Sequence, residues 1–168
     1  MTKNQKHHSE PVKFITDHNL GKLAKWLRLI GYDTICHAGK TDQALWMRAR
    51  QDARILLTRR KNLQYYYYPE EVKAIVLEAE TADGQLSELL GKLRIEPGKG
   101  DFFRYCAVCN VLLKGMEKKD ALDHVPPYVL ETQDHFYLCP TCLRVYWPGS
   151  HVDHIRETLR KHNLPDLP

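Results

Sequence analysis

No apolar run in the sequence approaches the roughly 18 residues that a membrane-spanning helix needs, and the polar opening Met1–Pro11 has none of the apolar stretch that a secretion signal carries. A membrane association is therefore not expected, and a cytoplasmic location is. There is no internal repeat, which excludes solenoids and propellers. The one low-complexity feature is the run Tyr65, Tyr66, Tyr67, Tyr68 before Pro69. Nor is there length for a three-domain machine, since 168 residues hold one ordinary domain with a small appendage. What is present is a soluble composition, 43% hydrophobic and 27% charged, so the chain can build a core and is not disordered overall.

The net charge of +4 hides an asymmetry. From Lys13 to Tyr68 eleven Lys/Arg stand against four Asp/Glu, so this half carries +7 and the remainder −3. A local excess of positive charge concentrates phosphate-bearing ligands and speeds their encounter, and nucleic acid is the first candidate. A solvated basic surface without a partner is the plainer alternative.

Along the chain, Val12 to Thr16 is a β-type run, and Leu20, Leu23, Ala24, Leu27 and Ile30 then recur at helical spacing until Gly31, a candidate left-handed cap. Strands are predicted at Asp33–Cys36, Arg54–Thr58 and Lys73–Leu77, and helices at Thr41–Asp52 and Gln85–Leu93. Strands alternating with helices predict an α/β layer structure with a mainly parallel sheet. After the turn-rich Glu96-Pro97-Gly98-Lys99-Gly100 the pattern changes to Cys, Pro and aromatics, which marks a second, smaller module, and Ser150 is placed to cap a final helix striped by Val152, Ile155 and Leu159. The expected organisation is a flexible N-terminus over 1–11, an α/β domain over 12–95, a linker over 96–102, a cysteine module over 103–150 and a C-terminal helix over 151–163.

Cys106-x-x-Cys109 and Cys139-x-x-Cys142 are two pairs, each able to grip one ion from the tip of a turn, and four thiolates suit a closed, structural zinc site. A redox dithiol, disulfides or an iron centre are the alternatives, which a reducing cytosol disfavours in the case of disulfides. Cys36, in a predicted strand, reads as a buried apolar thiol.

Ligands of open α/β sheets bind beyond the carboxyl ends of the strands. Asp17 leaves the first strand and Asp42 opens the helix after the second, so the two could share a divalent cation. Either could equally be a helix cap. Lys22, Lys25 and Arg28 recur along the first helix away from its leucine stripe, and the third strand runs into Arg59-Arg60-Lys61, so these six are the candidate phosphate-gripping rim. Trp26 or the tyrosine run could offer a stacking surface for unpaired bases, or could simply pack on the sheet.

Four ordered stretches carry a family resemblance: Phe14-Ile15-Thr16-Asp17-His18-Asn19-Leu20-Gly21-Lys22-Leu23-Ala24-Lys25-Trp26-Leu27-Arg28, then Arg54-Ile55-Leu56-Leu57-Thr58-Arg59, then Cys106-x-x-Cys109-Asn110, and Tyr146-Trp147-Pro148-Gly149-Ser150-His151. From Phe14 to Ile155 the chain resembles the bacterial and archaeal Mut-seven C-terminal RNase domain family. The resemblance implies a PIN-like fold, a mainly parallel sheet with flanking helices, followed by a small zinc ribbon and a C-terminal helix. It also implies cleavage of single-stranded or looped RNA with Mg²⁺ or Mn²⁺ held by carboxylates, with Asp17 and Asp42 matching the first two acidic positions. Where that family reads Thr-Arg-Asp after the third strand, this chain has Thr58-Arg59-Arg60. Arg60 cannot ligate a metal, yet its guanidinium can bind phosphate bidentately.

Three functions follow as expectations. One is an RNA-binding PIN-like protein with a structural Zn²⁺ ribbon that does not hydrolyse, for example on tRNA or ribosomal RNA. The second is an active endoribonuclease with Mg²⁺ or Mn²⁺ on Asp17 and Asp42, the missing ligand coming from Glu78 or Asp83. The third, a protein-interaction module built on the ribbon, leaves the basic half unexplained.

Overall fold

The computed structural model describes residues 12–39, 41–61, 72–93 and 102–161, the side chain of His151 excepted, so Tyr65–Tyr68 and most of the expected linker lie outside the described residues. A four-stranded, all-parallel sheet has the order β2-β1-β3-β4, built from β1 (Phe14–Thr16), β2 (Thr34–Cys36), β3 (Ile55–Thr58) and β4 (Ala74–Val76). Its central register pairs Thr16 with Cys36 on one side and with Leu57 on the other. Such a sheet is covered on both faces, so its strands read as continuous apolar runs. Phe14 and Leu57 face one layer, Ile15 and Leu56 the other.

On the first face lie α1 (Gly21–Leu29) and α3 (Ala82–Leu93), on the second α2 (Asp42–Gln51), which buries Leu45, Trp46 and Ala49. Gly31 closes α1 at φ 97°, with the Tyr32 amide donating to the Leu27 carbonyl at 2.9 Å, as a left-handed glycine cap requires. α3 starts three residues before the predicted Gln85, because Thr81 receives the Gly84 amide on its hydroxyl and the Gln85 amide on its carbonyl. The polar Asp83-Gly84 in its first turn hides that start from apolar periodicity.

The second module holds the antiparallel sheet β5-β6-β7, formed by β5 (Lys114–Met116), β6 (Phe136–Leu138) and β7 (Val145–Tyr146), with a short α4 (Pro127–Thr132) between β5 and β6. Its own small core is Ala121, Val125, Val129 and Phe136. The final helix, α5 (Ser150–Lys161), begins at Ser150, the residue expected to cap it and one before the expected start, since the Gly149 carbonyl accepts from Val152 and Asp153. The Trp147 indole lies so close to Gly149 that a Cβ there would meet it at 2.8 Å.

The three parts are not packed as separate bodies. Phe103 and Ala107 of the cysteine module and Val152, Ile155 and Leu159 of α5 belong to the same buried cluster as Leu23 and Leu27 of α1 and Leu86 and Leu89 of α3. Phe103 stacks on Tyr137 at 5.2 Å, and its amide donates to the Leu29 carbonyl. Among the described residues no helix is long and apolar enough to cross a membrane.

Candidate functional site

Because β1 and β3 are parallel neighbours, the residues that leave their carboxyl ends emerge side by side. Asp17 follows β1 and is 3% exposed. Its Oδ1 accepts from the Asn19 amide at 3.0 Å, capping a short 3-10 turn, and its Oδ2 accepts from the Thr58 hydroxyl at 2.9 Å. The same Thr58 hydroxyl accepts from the Arg60 amide, which folds the chain after β3 back over the sheet end. Arg60 thereby lays its guanidinium between the two acids, Nε 3.6 Å from Asp17 Oδ2 and Nη1 hydrogen-bonded to Asp42 Oδ1. Asp42 is not the cap of α2: Thr41 is, its hydroxyl accepting from the Ala44 amide, which leaves the Asp42 carboxylate for Arg60.

A divalent ion on one or two carboxylates needs their oxygens free to face it. Here the oxygens that face the gap are occupied by Thr58 and by a fixed positive charge. Glu78 pairs with Lys61 at 3.6 Å, and Asp83 sits in the first turn of α3, where it bonds Thr81. Neither joins Asp17 and Asp42, and among the described residues the four cysteines are the one set of three or more ligating side chains that converges. As placed here, the Asp17 and Asp42 oxygens that face the gap are already engaged, by the Thr58 hydroxyl and the Arg60 guanidinium.

The six expected basic residues separate. Arg59 faces Glu80 at 3.9 Å, Lys61 faces Glu78, and Arg60 faces Asp17 and Asp42. Lys22 and Lys25 are exposed on α1, with the Lys22 ammonium 5.7 Å above the Trp26 ring. Arg28 does not belong with them. It is 6% exposed and donates to three carbonyls, Nε to Thr34 at 2.7 Å and Nη1 to Ala107 at 2.7 Å and Val108 at 3.1 Å. The three-residue spacing from Lys25 carries it round to the face that the cysteine module covers. Trp26 is buried as well, in a T-shaped contact with His154 and with Lys22 over its ring, and offers no free stacking face.

In the second module the four Sγ atoms lie within 4.8 Å of one another, Cys106 and Cys142 3.7 Å apart. A tetrahedral zinc with Zn–S of about 2.3 Å implies sulfur edges of about 3.8 Å, so the donor set fits one such ion. The two knuckles repeat each other. The Cys109 amide points at Cys106 Sγ and the Cys142 amide at Cys139 Sγ. Asn110 and Leu143, the residues after each pair, are both left-handed at φ 58° and 59°, and their amides donate back to Cys106 and Cys139 carbonyls. Burial pushes the Cys106 thiol up, but hydrogen bonds from the Tyr146 hydroxyl, at 3.1 Å, and from backbone amides outweigh it and draw the pKa down to about 6. Cys109, beside Cys142 and Cys106, is pushed up to about 12. Each added thiolate in so tight a cluster raises the cost of the next, and a bound cation offsets that crowded negative charge.

The first knuckle is also the joint between modules, through residues that sequence spacing did not single out. Asn110 Nδ2 donates to Asp33 at 2.6 Å while its Oδ1 accepts from the Thr34 amide, and Asp33 takes a two-pronged bond from Arg54 at 2.8 and 2.9 Å. Burial raises the Asp33 pKa, but the bonds from Arg54 and Asn110 prevail and hold it below the usual carboxylate value. Contacts 21 and 77 residues apart in sequence leave no local signal, although Asn110 closes one of the stretches that carry the family resemblance.

No curated protein and no solved structure matches this chain. The parallel sheet with flanking helices, the thiolate cluster and the C-terminal helix coincide with a match to the family model described as Mut7-C RNAse domain over residues 12–159, and the chain belongs to that family.

Proposed function

We propose that the protein binds RNA without metal-dependent hydrolysis, its four cysteines holding a structural zinc and its nuclease-like rim closed by its own arginine. The observation that carries this reading is the Arg60 guanidinium lodged between Asp17 and Asp42. A cation fixed there repels a divalent ion and uses the lone pairs that would ligate it. Arg60 remains 42% exposed, so Nη2 and the solvent edge of the guanidinium can take a backbone phosphate oxygen, with Lys22 and Lys25 on α1 adding charge. Zinc, when bound, supplies no open coordination position here and acts by fixing the two knuckles. Transfer RNA and ribosomal RNA are the substrates to test first, since both expose single-stranded loops whose bases a protein can reach.

The experiment compares cleavage of single-stranded and structured RNA in Mg²⁺ and in Mn²⁺. The wild type is expected to bind but not cleave, and Arg60→Asp, which adds a third carboxylate and removes the cation, to gain weak Mn²⁺-dependent cleavage while losing RNA affinity. Robust wild-type cleavage that disappears in both Asp17→Asn and Asp42→Asn would refute the proposal, because it would show the acids holding an ion with Arg60 displaced.

A further inference from the structure

Exposed cations without acidic partners among the described residues are not confined to the basic half. The segment Phe102–Met116 contains no Asp or Glu, and neither does His135–Val152. Both are knuckle segments. Lys114 and Arg144 lie in them, exposed and without an ion-pair partner among the described residues. Lys114 stands opposite Leu138 on β6, and Leu138 is in turn opposite Val145, so Lys114 and Arg144 both fall at the end of the sheet that carries the second knuckle. Exposed apolar side chains occur on both knuckle segments: Val108 and Leu112 on the first and Leu143, 66% exposed, on the second.

Leu143 breaks two rules at once. Its φ of 59° is a conformation that leucine rarely adopts, and its side chain is left in water. The near-symmetry of the knuckles sharpens the point, because the equivalent residue of the first knuckle, Asn110, is spent on docking to Asp33 and Thr34, whereas Leu143 stays 66% exposed among the described residues. An exposed, strained apolar tip flanked by unpaired cations matches single-stranded nucleic acid, which offers base faces to an apolar side chain and phosphates to the cations. A duplex hides those faces.

We propose that the second knuckle is a single-stranded RNA contact separate from the Arg60 rim, with Leu143 packed against a base and Arg144 and Lys114 holding phosphates. The inference rests on the RNA-binding reading of the preceding section and adds a second surface to it.

The test is fluorescence anisotropy of the zinc-loaded full chain with a labelled oligouridine over a range of salt. Arg144→Gln and Lys114→Gln are each expected to reduce the slope of log K against log salt by about 0.7, the value for one single-strand phosphate contact. Leu143→Gly, which relieves the backbone conformation and removes the side chain, is expected to keep or raise the melting temperature while weakening binding about tenfold at unchanged slope. If all three variants bind as the wild type does while Arg60→Gln binds more weakly, the knuckle contact is overturned and the RNA reading survives. If the wild type binds no RNA at low salt, both fall. Loss of polyglutamate binding in Leu143→Gly with RNA binding intact would also overturn the proposal, in favour of an acidic protein partner.

Discussion

Replacing Arg28 by Met separates a structural arginine from a phosphate-binding one. The thioether keeps most of the aliphatic volume and removes the guanidinium, leaving the carbonyls of Thr34, Ala107 and Val108 without their donor. A carbonyl so abandoned costs about 1–3 kcal/mol, so three give a gross loss of about 3–9 kcal/mol. Against this, taking a charge out of a buried position returns part of a desolvation penalty of several kcal/mol. Burial does weigh on this group, since desolvation lowers the Arg28 pKa, opposed in part by the charge of Asp33. The net expectation is a destabilisation of about 3–4 kcal/mol, which for a chain of this size is about 6–16 °C in melting temperature.

Urea unfolding reads this as a lower midpoint at unchanged slope, and RNA affinity measured well below the transition is expected to stay within about twofold of wild type. A second consequence is weaker zinc retention, because Arg28 holds the Ala107 and Val108 carbonyls between the two cysteines of the first knuckle, beside a site that carries excess negative charge when four thiolates bind one Zn²⁺. Stability lowered by less than about 1 kcal/mol together with a reduced salt slope of RNA binding would refute the reasoning and return Arg28 to the rim.

Metal analysis of the purified chain is expected to give about one zinc per molecule, and chelation to lower the melting temperature of the whole chain in one transition, because Phe103 and Ala107 belong to the core of α1 and α3; a ribbon that melts alone would contradict that shared core. Asp33→Asn is expected to cost about 2–3 kcal/mol at neutral pH, the worth of hydrogen bonds to a charged group, and to flatten the acid side of the stability profile. The sign follows from its lowered pKa: the carboxylate contributes in full above the ordinary carboxylate value and the contribution is lost as pH falls through the lower folded value, so an unchanged acid limb in the variant would count against it.

Much of the fold was legible because its signals are local. Apolar triplets such as Ile55-Leu56-Leu57 mark strands buried on both faces, Gly31 marks a helix end, and two Cys-x-x-Cys pairs mark facing knuckles. The site was half legible for the same reason. Asp17, Asp42 and Arg60 could each be picked out as leaving a strand or opening a helix, but that Arg60 reaches both acids depends on the Thr58 hydroxyl turning the chain back. Arg28 shows the opposite error. Helical periodicity says which residues share a face with Lys25, and it cannot say that a module 80 residues later covers part of that face.

Charge counted along a chain and charge available to a ligand are different quantities, and this molecule separates them. The basic half owes its +7 partly to Arg59 and Lys61, which in the fold meet Glu80 and Glu78 from beyond the counted segment, to Arg60, which meets Asp17 and Asp42, and to Arg28, which is buried. The stretch 103–150, by contrast, has five Lys/Arg and five Asp/Glu and looks neutral. All five acids fall between Glu117 and Asp134, which leaves Lys114 and Arg144 exposed and without an acidic partner among the described residues. Two contacts on one strand raise its affinity through effective concentration even when each is weak. A strand that reaches from Arg60 to Arg144 therefore needs less from the rim than the linear charge count suggested, and removing either contact is expected to weaken a long RNA more than a short one.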